Sequence, residues 1–126
     1  MTYAYDTENI FAKILRGEIP NSTVLETEHT LAFNDIAPAA PVHVLIIPKG
    51  PYVSYDHFSA EATDAEILDF TRAINEVCKI AGVKMDAGNG FRAIANTGRD
   101  GVQDVPHFHL HIIGGRGLGR MIQKAD

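Results

Sequence analysis

His107, His109 and His111 alternate with Phe108 and Leu110 in the run HFHLHII. The chain holds six histidines in 126 residues, so three at i, i+2 and i+4 call for a cause. On a β-strand such positions share one face, roughly 7 Å apart, while the intervening apolar residues face the other way. Three chemistries can use a row of imidazoles. Neutral imidazoles are metal ligands, two at i, i+2 can share one ion, and His43 on another β-rich run could add a nitrogen. No acidic or cysteine residue is obviously assigned to complete that shell. An imidazole is also uncharged and nucleophilic near pH 7, and can carry a phosphoryl group as a covalent intermediate while its neighbours fix its tautomer and stabilise developing charge. Third, the histidines can form a solvated or mutually satisfied polar face, which is the reading for the isolated His29 and His57.

The loop before the triad favours phosphorus chemistry. In NTGRDGVQD, residues 96–104, glycines allow backbone N–H groups to turn toward an anion, and Asn96 adds an amide donor. Nucleophile and anion cradle are thus neighbours in the chain.

The elements that must position these residues are legible to different degrees. Near the start, Asp6 and Thr7 are candidate N-caps for a short helix whose stripe is Ile10, Phe11, Ile14 and Leu15, with Gly17 placed to stop it. STVLETE and LAFNDI read as two strands joined through Glu28, His29 and Thr30, and Val42–Ile47 is the most β-rich run, closed by Pro48, Gly50 and Pro51. Thr63 and Glu66 form a capping box opening a long amphipathic helix through Ile67, Phe70, Ile74, Val77, Cys78 and Ala81, with Gly82 at its end. Cys78 lies on the apolar stripe, as inert core. A strand is expected from Phe91 to Asn96 and a last strand carries the histidines. The glycine-rich residues 115–126 read as an extended tail. Antiparallel-looking strands with separate helices spell an α+β class.

Composition narrows the function further. With 45% hydrophobic and 21% charged residues, the chain suits one soluble domain spanning residues 1–126. No apolar run approaches the length of a membrane helix, and the start carries no secretory pattern. The single cysteine excludes an internal disulfide and fits a reducing, cytoplasmic setting. A net charge of −5 argues against a nucleic-acid binder, though a pocket can still be locally positive for a small anion.

The run His107-Phe-His109-Leu-His111-Ile-Ile resembles the histidine-triad signature of the HIT superfamily of nucleotide hydrolases and transferases. NIFAKILRGEIP, LAFNDIAPAAPVHVLIIPK and FRAIANTG…VQDVPHFHLHIIGGR extend the resemblance to the branch of small histidine-triad nucleotide-binding proteins. It implies a homodimer with an antiparallel meander sheet, a central amphipathic helix and a short N-terminal helix, binding a purine nucleoside monophosphate in each subunit. It implies that His109 is the nucleophile attacking the α-phosphorus, that His111 contacts phosphate oxygens, and that His107 and His43 orient and buffer the nucleophile. Asp35 matches the position that accepts the ribose hydroxyls. Phe11, Ile14, Ile19, Phe33, Ile36 and Leu45 match the base and ribose pocket, although each also suits a core position. Asn96 matches an asparagine near the phosphate and leaving group. No metal or cofactor is implied.

Three departures stand out: Val102 replaces a usual small residue, Asp104 replaces serine or threonine, and GLGRMIQKAD lacks the tryptophan-containing ending of the best-known members. Val102 can still offer its backbone N–H, whereas Asp104 in the family geometry would set an anion beside the phosphate. The expected activity is hydrolysis of purine nucleoside phosphoramidates or related nucleotidyl conjugates. A dinucleoside polyphosphate hydrolase and a nucleotide-binding regulatory protein with little turnover are the alternatives. A histidine in the third triad position favours the hydrolase branches over the transferase branch, which resembles the triad but carries glutamine there.

Overall fold

The computed structural model describes residues 3–123. Its elements are α1 (Ile10–Leu15), β1 (Thr23–Glu26), β2 (Thr30–Asn34), β3 (Val42–Pro48), α2 (Tyr55–Glu61), α3 (Asp64–Ala81), β4 (Phe91–Ile94) and β5 (Leu110–Gly114). The α+β architecture is built on one five-stranded sheet in the order β1-β2-β3-β5-β4, antiparallel at every junction. The first three strands run as a meander. After the helices the chain returns with β5 beside β3 and β4 outside it.

Register decides which side chains share a face. Leu45 lies opposite both Phe33 and His111, and Ile46 opposite both Ala32 and Leu110. One face therefore carries Ala32, Val44, Ile46, Leu110 and Ile112, which pack with Phe108, Phe58, Phe70 and Val77 into the main core under α2 and α3. The other face carries Leu31, Phe33, Leu45 and Ile47, which pack with Phe11 and Ile14 of α1. Burying each of the larger of these side chains contributes about 1.5–3 kcal/mol, and Ala32 less. Phe108 stacks on Tyr55 and meets Phe58 and Phe70 at ring distances of 4.8–5.2 Å, so the apolar residues between the histidines anchor the triad to the core.

The long helix forms as its sequence predicts. The Thr63 hydroxyl accepts from the Glu66 N–H, the Glu66 carboxylate accepts from the Thr63 N–H, and Gly82 ends the helix at φ +72°, a left-handed backbone that glycine adopts without a Cβ clash. Asp69 on this helix accepts from the hydroxyls of Thr27 and Thr30 and from the His29 N–H, tying α3 to the β1–β2 turn.

Three expectations shift. The cap of α1 is Asn9, whose side chain accepts from Ala12 N–H. Asp6 instead accepts from Glu8 N–H and forms the turn before it. α2, capped by Ser54, occupies a stretch with no element assigned from sequence. The last strand starts at Leu110 rather than at the first histidine, because the N–H groups of His107 and Phe108 bond Val105 and Tyr52 carbonyls in loops. The alternation of faces nevertheless continues through residues 107–109. Residues 115–123 contain no helix or strand, though Arg92 and Arg116 donate to the carbonyls of Gly119 and Ala39. The end of the expected tail, 124–126, lies outside the described residues. No helix among those described is long and apolar enough to cross a membrane.

Candidate active site

Pairing of β3 with β5 brings His43 and His111 onto one face, where Nε2 of His43 meets Nδ1 of His111 at 2.9 Å. The partners fix both tautomers. Nδ1 of His43 accepts from the Ala39 N–H at 2.9 Å, so the His43 proton sits on Nε2 and is donated to His111 Nδ1. His111 then carries its own proton on Nε2, which is left free to donate. Asp35, just beyond β2, places Oδ2 at 3.4 Å from His43 Nε2 while Oδ1 accepts from Ala37 N–H. Burial lowers the pKa of His111, with the nearby His109 and His43 adding to the effect and the Asp35 and Asp104 carboxylates opposing it.

His107 is fully enclosed. Its Nε2 donates to the Pro48 carbonyl at 2.8 Å, and its Nδ1 accepts from the Tyr5 hydroxyl at 2.6 Å. Burial pushes its pKa down to about 4, the Pro48 carbonyl opposes that, and His109 adds to it. With both nitrogens bonded inside the protein, His107 is held as a neutral imidazole.

His109 is 3% exposed and lies between these two. Its Nδ1 donates to the His107 carbonyl at 2.8 Å, which leaves the Nε2 lone pair unprotonated. The Phe11 ring meets it edge-on at 5.0 Å and the His111 ring at 5.1 Å. A lone pair held in place on a nearly buried imidazole is chemically able to attack an electrophile without a base to activate it.

The apolar residues assigned from sequence gather beside His109, with one exception. Phe11, Ile14, Phe33 and Leu45 share a cluster, and Ile19 packs against it together with Val105, which sequence reasoning missed. Ile36, by contrast, is 98% exposed and stands apart from them in the single chain.

The loop of residues 96–104 is clamped. Gln103 donates through Nε2 to the Val53 and Val105 carbonyls and accepts on Oε1 from the Gly98 N–H. A Cβ on Gly101 would meet the Thr97 backbone at 2.6 Å, so only glycine fits that turn. Val102 is exposed at φ +55°, a costly conformation for a β-branched residue. Asn96 stands half-buried just past β4. Asp104 sets Oδ1 3.7 Å from His109 Nε2.

Gln103 and Tyr5 were not singled out in the sequence. Gln103 lay inside the loop that was, but a tyrosine 102 positions from its histidine leaves no local signal.

Asp35, His43 and His111 also offer ligand atoms within 4.8 Å of one another. An ion there would need the His43 Nε2 lone pair, yet the Ala39 N–H faces Nδ1 and holds the proton on Nε2. Ligating histidines ordinarily donate from the other nitrogen, so this trio suits a hydrogen-bond chain and fits an ion poorly.

Comparison with known proteins identifies the family and the fold. The HIT domain family model matches residues 16–118. A 13.2 kDa HIT-like protein of Azospirillum brasilense is 56% identical over 124 residues, covering 98% of this chain and 99% of the relative. The purine nucleoside phosphoramidase of Escherichia coli is 44% identical over 115 residues, covering 91% and 93%. Among solved structures, a histidine triad protein from Clostridium difficile superposes with a TM-score of 0.78 at 38% identity, covering 93% of this chain and 98% of that one. By its family model, its relatives and its sheet, the chain belongs to the HIT domain family.

Proposed function

We propose that the protein is a nucleotidyl hydrolase that cleaves purine nucleoside phosphoramidates, acting as a cytoplasmic homodimer without a metal. The observation that carries this reading is His109, with Nδ1 tied to the His107 carbonyl and a free Nε2 beside a glycine loop. The 44% identity to a purine nucleoside phosphoramidase supports the substrate class.

In the first step the Nε2 lone pair attacks the α-phosphorus and the P–N bond breaks. The leaving nitrogen takes that electron pair and a proton from solvent, leaving a nucleotidyl-histidine. His111 donates from Nε2 to a phosphoryl oxygen, and the hydroxyl-accepting oxygens of Asp35 hold the ribose. Phe11, Ile14, Ile19, Phe33 and Leu45 receive the base and sugar, while Ile36 stands exposed outside their cluster. Asn96 faces the phosphate, whereas the N–H of Val102, expected from sequence to do the same, is taken up by the Arg99 carbonyl in the loop turn. Water then attacks phosphorus, the P–Nε2 bond breaks with its electrons returning to His109, and the water proton passes to solvent as the nucleoside monophosphate leaves.

Hydrolysis of adenosine 5′-phosphoramidate, followed beside His109→Ala and with or without a chelator, tests this. Turnover is expected in the native protein alone and indifferent to the chelator, with nucleotide affinity of the variant within a few fold. Undiminished activity in His109→Ala would remove the nucleophile assignment. A second reading, a nucleotide-binding regulator with little turnover, is favoured by one observation: the Asp104 carboxylate beside the nucleophile. Tight nucleotide binding without hydrolysis in the native protein would select it.

A further inference from the structure

We infer that Asp104 makes the site select by charge, favouring leaving amines that are cationic over those that are anionic. The inference rests on the hydrolase reading above and specifies which of its substrates the site prefers.

The closed directions around His109 come first. Its ring is flanked by Phe11 and His111, its Nδ1 is bonded to the His107 carbonyl, and the ring as a whole is almost out of contact with solvent. The charged group nearest its Nε2 is Asp104, at 3.7 Å. The carboxylate is 81% exposed, so its charge faces outward as well as toward the reacting atom. Attack by Nε2 brings phosphorus, and the group bound to it, to the side of the ring where this carboxylate stands.

The carboxylate is held there. Before it in the chain, Gln103 is fixed by side-chain bonds to Val53, Val105 and Gly98. After it, Val105 packs on the apolar cluster and its carbonyl accepts from His107 N–H. With both neighbours anchored, the backbone of Asp104 has little room to carry the charge away.

Among the described residues no lysine or arginine pairs with Asp104, and Arg99 in the same loop is paired with Asp100 at 3.2 Å. The other carboxylate of the site, Asp35, adds a second negative charge near His43. An entering phosphoryl group already carries negative charge, and each further negative charge on the leaving group adds repulsion. A cationic leaving group offsets it. A unit charge several Å from an exposed carboxylate changes a rate by roughly threefold in water, so reversing the sign of the leaving group changes it by roughly tenfold at low ionic strength.

The test is a matched series of adenosine 5′-phosphoramidates whose leaving amines are 1,2-diaminoethane (cationic), propylamine (neutral) and β-alanine (anionic). The value of kcat/KM is measured for native protein and Asp104→Asn at 20 and 200 mM salt. The expected order is cationic, neutral, anionic, spanning about tenfold at low salt and less at high salt. Asp104→Asn collapses the span toward one, with the anionic substrate gaining relative to the neutral one. Equal rates across the series, or a span that survives in Asp104→Asn, overturns the charge selection. Turnover of the propylamine substrate in that case leaves the hydrolase reading standing. Absence of turnover with all three overturns both. Matching thermal melts of the two proteins establish that the variant is folded.

Discussion

His107 is the triad member that substrate cannot reach, and its buried neutrality has a cost that pH exposes. Burial holds its pKa at about 4, against 6.5 when free. Between those values the unfolded chain binds more protons than the folded one, so stability rises with pH across that window. The contribution of neutral His107 is therefore complete above about pH 6.5 and is lost as pH falls through 4, a loss of about 3 kcal/mol. Denaturant titrations between pH 7 and 4 should show this decline, and His107→Asn should flatten it while lowering stability at pH 7. The same residue marks the limit of sequence reading. Alternation placed three histidines on one face, and the Phe108 and Leu110 side is buried as expected. That His107 turns fully inward depends on the Pro48 carbonyl and the Tyr5 hydroxyl, and neither partner is near it in the chain.

At the scale of elements, a single carboxylate joins the long helix to the first hairpin. Burial raises the Asp69 pKa, but the bonds from the Thr27 and Thr30 hydroxyls and the His29 N–H outweigh it and hold the group below its ordinary value. Thr30 is buried, so Asp69→Ala leaves an unpaired hydroxyl. It should cost about 2–3 kcal/mol in denaturant unfolding, while Asp64→Ala, in the first turn of the same helix, costs less. Such a tie was not legible from sequence, since the threonines and the aspartate lie some forty residues apart. What could be read was local: the Thr63–Glu66 box and the apolar repeat defined α3 nearly to the residue. α2 escaped because seven residues give too few turns for a period to register, although Ser54 was available as a cap. For α1 the nearby Asp6 competed with Asn9 as cap, and only the chain's turn at Asp6 decides between them.

The whole molecule carries a net charge of −5, unusual company for a nucleotide. Its long-range field opposes an incoming anion, and affinity must come from short-range contacts at the site. Salt should then act opposite to its effect on a basic binder. Titration with adenosine monophosphate should show affinity unchanged or up to about twofold tighter at 200 mM salt than at 20 mM, whereas a steep weakening would reveal a cationic approach path. The sheet order has a different consequence, one that concerns how the molecule is made. Residues 110–114 fill the place beside β3, nearly seventy residues back along the chain, and nothing local to β3 can fill it. Any folding route must leave the outer edge of Val42–Pro48 bare until this late, long-range pairing closes. A bare apolar edge invites pairing with another chain. The strand bearing His111 thus also seals the sheet, and changes that weaken its docking will first be felt as lost yield on refolding at high protein concentration.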